Sequence, residues 1–176
     1  MRISFALAIV GMATAPASAE VISASANGFE VSETVNLVVK PEVAFASFGN
    51  IGAWWGKDDT YSGNSANLSL ALAPGGCFCE RIPESGGGIE HMRVTYVEPG
   101  KRVVLTGSLG PLLYEATAGV MDVQVKSTGS GSQLTLNYRA AGFAKSDAAK
   151  FAPLVDQVLG EQLKRLRAFV TKQPRT

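Results

Sequence analysis

Apolar and polar residues alternate along most of this chain with the two-residue period of β-strands, and only near the end does the period lengthen to that of a helix. From Phe29 to Val39, Val31, Val35, Leu37 and Val39 fall on one face. Lys40-Pro41-Glu42 then opens a short helix. Proline is favoured in the first turn, where its missing N–H has no partner to lose, and Glu42 suits the positive end. Val43, Ala44, Phe45 and Phe48 supply its apolar side, and Gly49, Gly52 and Gly56 end it around Trp54-Trp55. After a polar loop, Leu68, Leu70 and Leu72 alternate again, and Pro74-Gly75-Gly76 turns the chain into "CFCERI". Gly86-Gly87-Gly88 offers a tight hairpin into "IEHMRVTYV". A turn at Glu98 to Lys101 leads to "RVVLTG", and Ser108 to Ala116 reads as an irregular connection. Met121, Val123 and Val125 share a face of the next strand, and Leu134, Leu136 and Tyr138 a face of the last.

From about Ser146 the spacing changes. Phe151, Val155, Val158, Leu159, Leu163, Leu166, Phe169 and Val170 recur at helical intervals, with Glu161, Lys164, Arg165 and Arg167 on the opposite side. Pro153 sits near the start of this amphipathic helix. The pattern predicts an α+β domain: one strand, one or two short helices, about six further antiparallel strands, then a long helix. A meandering sheet that is apolar on one face needs a cover, and only the last helix is large enough to supply it.

The amino end stands apart from this pattern. Arg2, the apolar run Ile3 to Val10 and the small-x-small triplet Ala17-Ser18-Ala19 have the layout of a secretory signal peptide, cut after Ala19. The run is too short to span a bilayer, which takes roughly 20 apolar residues. Residues 1–19 are therefore expected to be removed, leaving residues 20–176 as one periplasmic or secreted domain without stable membrane insertion. The chain has 16 basic and 15 acidic residues. Loss of Arg2 balances them, and a balanced chain has no basic field for nucleic acid.

Candidate chemistry concentrates between Cys77 and His91, the only histidine. In an oxidising compartment Cys77 and Cys79 suggest a disulfide, but in an extended strand their Cα atoms lie about 6.5–7 Å apart, at or beyond disulfide reach. Core packing as free thiols is the favoured reading, and a bridge requires a kinked or bulged strand. Pairing Ile82 with Ile89 places Glu80 opposite His91, Phe78 opposite Arg93 and Cys77 opposite Val94. Alternation then sends the thiols to one face and Glu80 with His91 to the other, so a Cys-Cys-His metal cluster is not expected. A carboxylate beside an imidazole fixes its tautomer and, in a dry cavity, makes an acid–base couple. A cross-strand polar pair of structural role is the plainer alternative. Asp58-Asp59 reads as solvated loop, Ser108 to Leu112 as a stiff apolar connection, and Tyr96, Tyr114 and Tyr138 as core tyrosines with satisfied hydroxyls or, alternatively, as phenols offered to a ligand.

Lys40-Pro41-Glu42-Val43-Ala44-Phe45, Trp54-Trp55, Pro74-Gly75-Gly76-Cys77-Phe78 and "VTYVEP" with Lys101 to Leu105 occur in this order ahead of the closing helix. In that order the chain resembles the START-like (SRPBCC) superfamily, in particular its activator-of-Hsp90-ATPase-homologue-like or polyketide-cyclase-like branch. The resemblance implies a helix-grip fold, in which a curved antiparallel sheet of about seven strands wraps a long C-terminal helix around an apolar cavity. It implies a small hydrophobic or amphipathic ligand and no cofactor, with catalysis in a minority of members. Trp54, Trp55, Phe78, Met92, Tyr96 and Leu112 are the expected lining residues, and Glu80 with His91 the expected acid–base pair should the domain be an enzyme. A third possibility is an interaction module with a filled core.

Overall fold

In the computed structural model, which describes residues 18–143, 145 and 147–173, alternation has become strand pairing almost throughout. Strand β1 (Ser18–Ser25) forms a hairpin with β2 (Gly28–Leu37). Helix α1 (Pro41–Gly49) follows, and three single 3-10 turns carry the chain to the short β3 (Leu68–Leu70). Then come β4 (Cys77–Ile82), β5 (Gly87–Glu98) and β6 (Arg102–Gly107). A 3-10 turn (Gly110–Tyr114) leads to β7 (Ala116–Thr128) and β8 (Gly131–Phe143), and α2 (Ala152–Thr171) closes the fold. The eight strands form one antiparallel sheet in the order β1-β2-β8-β7-β6-β5-β4-β3. The architecture is the expected α+β helix-grip arrangement, with one strand more than the pattern predicts.

The extra strand is β1. It occupies Ser18–Ser25, across the expected cleavage point, and its Val21 and Ile22 are exposed. The rest of the expected signal peptide lies outside the described residues. No described helix is long and apolar enough to cross a membrane.

Two other expectations need correction. The Leu68–Leu72 strand ends at Leu70, because the Ala71 and Ala73 carbonyls turn back to accept from Ala73 and Gly76. Leu72 packs instead against Gly49, where a Cβ would have no room. The hairpin glycines also act differently. Gly86 takes the positive φ of the turn, whereas Gly87 and Gly88 already belong to β5 and pair with Ile82 and Arg81.

The core is the inner face of the sheet. Val31, Val35, Val103, Leu105, Val123, Leu134, Leu136 and Tyr138 are all essentially inaccessible. Helix α2 lies across the β1–β2 end of the sheet and touches α1. Its apolar stripe is one row in sequence but two surfaces in space. Leu159, Leu163, Leu166 and Val170 are buried, whereas Phe151, Val155 and Val158 are only partly covered. That uncovered half leaves room for a cavity.

Candidate functional site

The cavity, about 470 Å³, lies between the first turns of α2 and the β4–β5 end of the sheet. Phe78 and His91 form its sheet wall together with Leu68. Phe151, Leu154, Val155, Val158 and Leu159 form its helix wall. Two connections complete it: residues 58–61, following Trp55, and the stretch Leu109 to Pro111 with Tyr114. Its rim is open and mixed: Leu154 is 59% exposed and Tyr114 73%, and Asp58 and Asp59 are exposed beside them.

A β-bulge sets the chemistry of the sheet wall. Glu80 pairs with Ile89 and Cys79 with Glu90, but Phe78 pairs with Met92 and Cys77 with Arg93, so His91 is the additional residue on β5. The register therefore differs from the expected pairing of Ile82 with Ile89, because the turn is tighter. The bulge turns two consecutive side chains, His91 and Met92, inward and breaks the alternation locally. Phe78 and Glu80 also face inward, and Cys77 and Cys79 face the other way. The expected separation of the two pairs by face is thus present, on a different register.

Glu80 is fully buried and accepts three hydrogen bonds. They come from His91 Nε2 (3.0 Å), the Tyr61 amide (3.2 Å) and the Ser62 amide (2.5 Å). Burial disfavours its charge, but the bonds from Ser62, Tyr61 and His91 outweigh that and hold its pKa below the ordinary value. For His91 burial dominates over the attraction of Glu80, and its pKa is lowered. The imidazole is therefore neutral near pH 7. With Nε2–H donating to Glu80, its Nδ1 is left as an acceptor on the cavity wall, and among the described residues no donor reaches it. The ring stacks against Phe78 at 4.9 Å and lies 5.9 Å from Tyr61. Phe78 meets Trp55, and Trp55 meets Trp54, each at 5.6 Å, so a run of aromatic rings leads from the cavity wall into the core.

The loop walls are fastened from behind. Gln162 of α2 accepts from the Gly56 amide (2.7 Å) and donates to Asp59 Oδ2 (2.6 Å). Glu80 holds the Tyr61 and Ser62 amides, and the Tyr61 hydroxyl donates to the Gly110 carbonyl (2.8 Å), joining one loop to the other.

Of the residues expected to line the cavity, the structure brings Trp55, Phe78 and His91 to its wall, with Glu80 directly behind His91. Trp54, Met92 and Leu112 are buried in the core beside it. Trp54 donates to the Ser47 carbonyl (2.9 Å), and Leu112 anchors the 3-10 turn whose neighbours Leu109 and Pro111 face the cavity. Tyr96 lies on the outer face. A second bulge, at Thr95, turns Tyr96 away from the inner face of Met92 and Val94, and the Arg102 guanidinium lies 5.9 Å from its ring centre. Tyr138 is buried, with its hydroxyl accepting from the Leu109 amide at 3.3 Å. Asp58 and Asp59, read as plain solvated loop, border the cavity, as does Tyr61, which periodicity could not single out.

Cys77 and Cys79 are bridged, contrary to the free-thiol reading. The Cα atoms of Cys77 and Cys79, beside the register shift at Phe78 and Cys79, are 5.3 Å apart, closer than the extended spacing and within disulfide range. Among the described residues the one grouping of metal-type ligands is Cys77, Cys79 and Glu90. The bridge occupies both sulfurs, and Glu90 is paired with Arg93. The bridge closes a very small loop on the outer face. Reduction is expected to lower stability by no more than about 1.5 kcal/mol, on the chain-entropy account. It should leave occupancy of the cavity unchanged, which denaturation and probe binding with and without reductant would check.

No model of a known protein family matches the chain, and no curated protein matches it. Solved structures do resemble it. One is a putative uncharacterized protein from Rhizobium leguminosarum, with TM-score 0.63 and 16% identity over 90% of this chain and all of that one. A protein from Mesorhizobium loti superposes with TM-score 0.60 and 16% identity, covering 82% of this chain and 98% of its own. A Rhizobium loti protein is 22% identical, with TM-score 0.56, over 81% of this chain and 95% of that one. At these identities the likeness concerns the fold: an antiparallel sheet wrapped on a C-terminal helix.

Proposed function

We propose that this chain is an exported START-like domain that binds a small hydrophobic or amphipathic molecule between its sheet and α2. The observation that carries the reading is the cavity. At about 470 Å³, it falls within the roughly 300–1,000 Å³ of small-molecule sites, and its walls are mainly apolar and aromatic. Such space argues against an interaction module with a filled core. The order of motifs from Lys40 to Leu105 supports the activator-of-Hsp90-ATPase-homologue-like or polyketide-cyclase-like branch.

A second reading, in which His91 acts as general base with Glu80 orienting it, is favoured by the neutral imidazole on the wall. Glu80, however, also holds the Tyr61 and Ser62 amides, which is the work of a loop anchor. Binding is therefore the primary reading. Native mass spectrometry of protein purified from the periplasm should show a co-purifying mass, and a neutral fluorescent probe should bind one site. Val155→Trp, which places an indole in the cavity, should weaken the probe at least tenfold while changing stability by only about 1 kcal/mol. No bound mass together with no probe binding would rule the reading out.

A further inference from the structure

The polar groups of the cavity are unbalanced. Each side-chain donor in its wall is already committed to a protein acceptor, with one exception at the rim. The Trp55 indole N–H donates to the Asp59 carbonyl (3.1 Å) and the Thr60 hydroxyl to the Lys57 carbonyl (2.6 Å). The Tyr61 hydroxyl donates to Gly110, and His91 Nε2 faces the Glu80 carboxylate. The exception is the Tyr114 hydroxyl, on an exposed side chain. Among the described residues no lysine or arginine lines the cavity.

Acceptors, by contrast, remain. His91 is 94% buried, since only 6% of its surface is accessible, and its Nδ1 has no donor among the described residues. Behind it stands the Glu80 carboxylate, which makes the imidazole a better acceptor. The exposed Asp58 and Asp59 add negative charge at the border. A ligand bringing a carboxylate or phosphate would meet acceptors and no cation among the described lining residues, the Arg165 guanidinium standing beside Asp59 at Gly56 and outside the lining. A ligand bringing N–H donors and positive charge would meet partners.

We infer that the ligand of this cavity is a lipophilic amine, bound as its ammonium form with its apolar body between Phe78 and α2. The inference rests on the binding reading above and specifies its chemical class. The test is competition against the neutral fluorescent probe by three ten-carbon chains of one shape: decylamine, decanol and decanoate. Decylamine is expected to bind at least about tenfold more tightly than decanoate, with decanol between them, since reversing one charge near a carboxylate changes the interaction by ~1–2 kcal/mol at intermediate dielectric. The ratio of decylamine to decanol affinity should shrink with added salt and fall severalfold in Asp58→Asn. Decanoate binding as well as decylamine would overturn the amine assignment while leaving the hydrophobic site intact. So would an amine preference unmoved by Asp58→Asn. Failure of the probe and of all three chains would overturn both readings together.

Discussion

Replacing Glu80 by alanine is expected to remove about 3–4 kcal/mol of folding stability and most of the probe affinity of the cavity. The magnitude follows from what the carboxylate holds. Two backbone amides and an imidazole N–H converge on it in a buried site. A hydrogen bond to a charged group contributes roughly 1.5–3 kcal/mol, and each donor orphaned by truncation adds a desolvation penalty. The effect on binding follows from position. Tyr61 and Ser62 end the stretch that walls the cavity, and Tyr61 in turn bonds Gly110 of the opposite wall. Without Glu80 both walls lose their shared tie, and His91 loses the group that sets its tautomer. Glu80→Gln should be milder, because one amide oxygen still accepts while the NH₂ opposes a donor. The acid limb of stability offers an independent readout. The folded pKa of Glu80 is lowered, so its contribution is complete above the unfolded value and is lost as pH falls through the folded one. The alanine variant should therefore lose less stability than the wild type between about pH 5 and pH 3. Urea titrations at several pH values would show this. A variant as stable as the wild type would remove Glu80 as the anchor.

Much of the fold was legible because alternation reports which face a residue takes, and faces determine the core. Val31, Val35, Leu134, Leu136 and Tyr138 all lie where the period sends them. What alternation cannot report is an inserted residue. The bulges at His91 and Thr95 each shift the following side chains by one position, and they act in opposite ways on the site. One brings Met92 to the inner face beside His91, which the pairing of Glu80 with Ile89 already places there, and the other expels Tyr96. The cysteine Cα atoms lie 5.3 Å apart beside the first of these shifts, closer than a regular strand allows, so the free-thiol reading failed where alternation gives no warning. The loop walls were hidden for a different reason. Tyr61, Asp58 and Asp59 sit in a segment without a period, and their placement depends on Glu80 and Gln162, which are distant in sequence. Glu33 is legible in the sequence itself. It interrupts the row Val31, Val35, Leu37 on the inner face of β2, and an acid in an apolar row of a strand is itself a signal.

Stability is expected to fall as pH rises from about 5 to 8, and Glu33→Gln to remove that slope, with a gain of about 4 kcal/mol at pH 8 or above. Glu33 is 1% exposed and faces α2, where Gly160 brings the helix close: a Cβ there would lie 3.3 Å from both carboxyl oxygens. Burial, and then the negative charge of Asp156, push its pKa up to about 8, while Lys164 opposes them weakly. Glu33 Oε1 and Asp156 Oδ1 are both buried without a donor. A proton on Glu33 supplies one, through a hydrogen bond between the two side chains. Between the ordinary value of 4.5 and about 8 the folded chain holds a proton that the unfolded chain has released. Unfolding in this window releases that proton, so stability is greatest at its acid end and declines toward its alkaline end. His91, whose pKa is lowered, contributes a slope of opposite sign at the acid side. It cancels in the difference between wild type and Glu33→Gln, so the difference is the quantity to measure. The glutamine amide keeps a donor for Asp156 at every pH, and the two proteins should accordingly be of similar stability near pH 5. Denaturant titrations at pH 5, 7 and 8.5 decide the matter. If the difference between the two proteins does not grow with pH, Glu33 does not carry the proton.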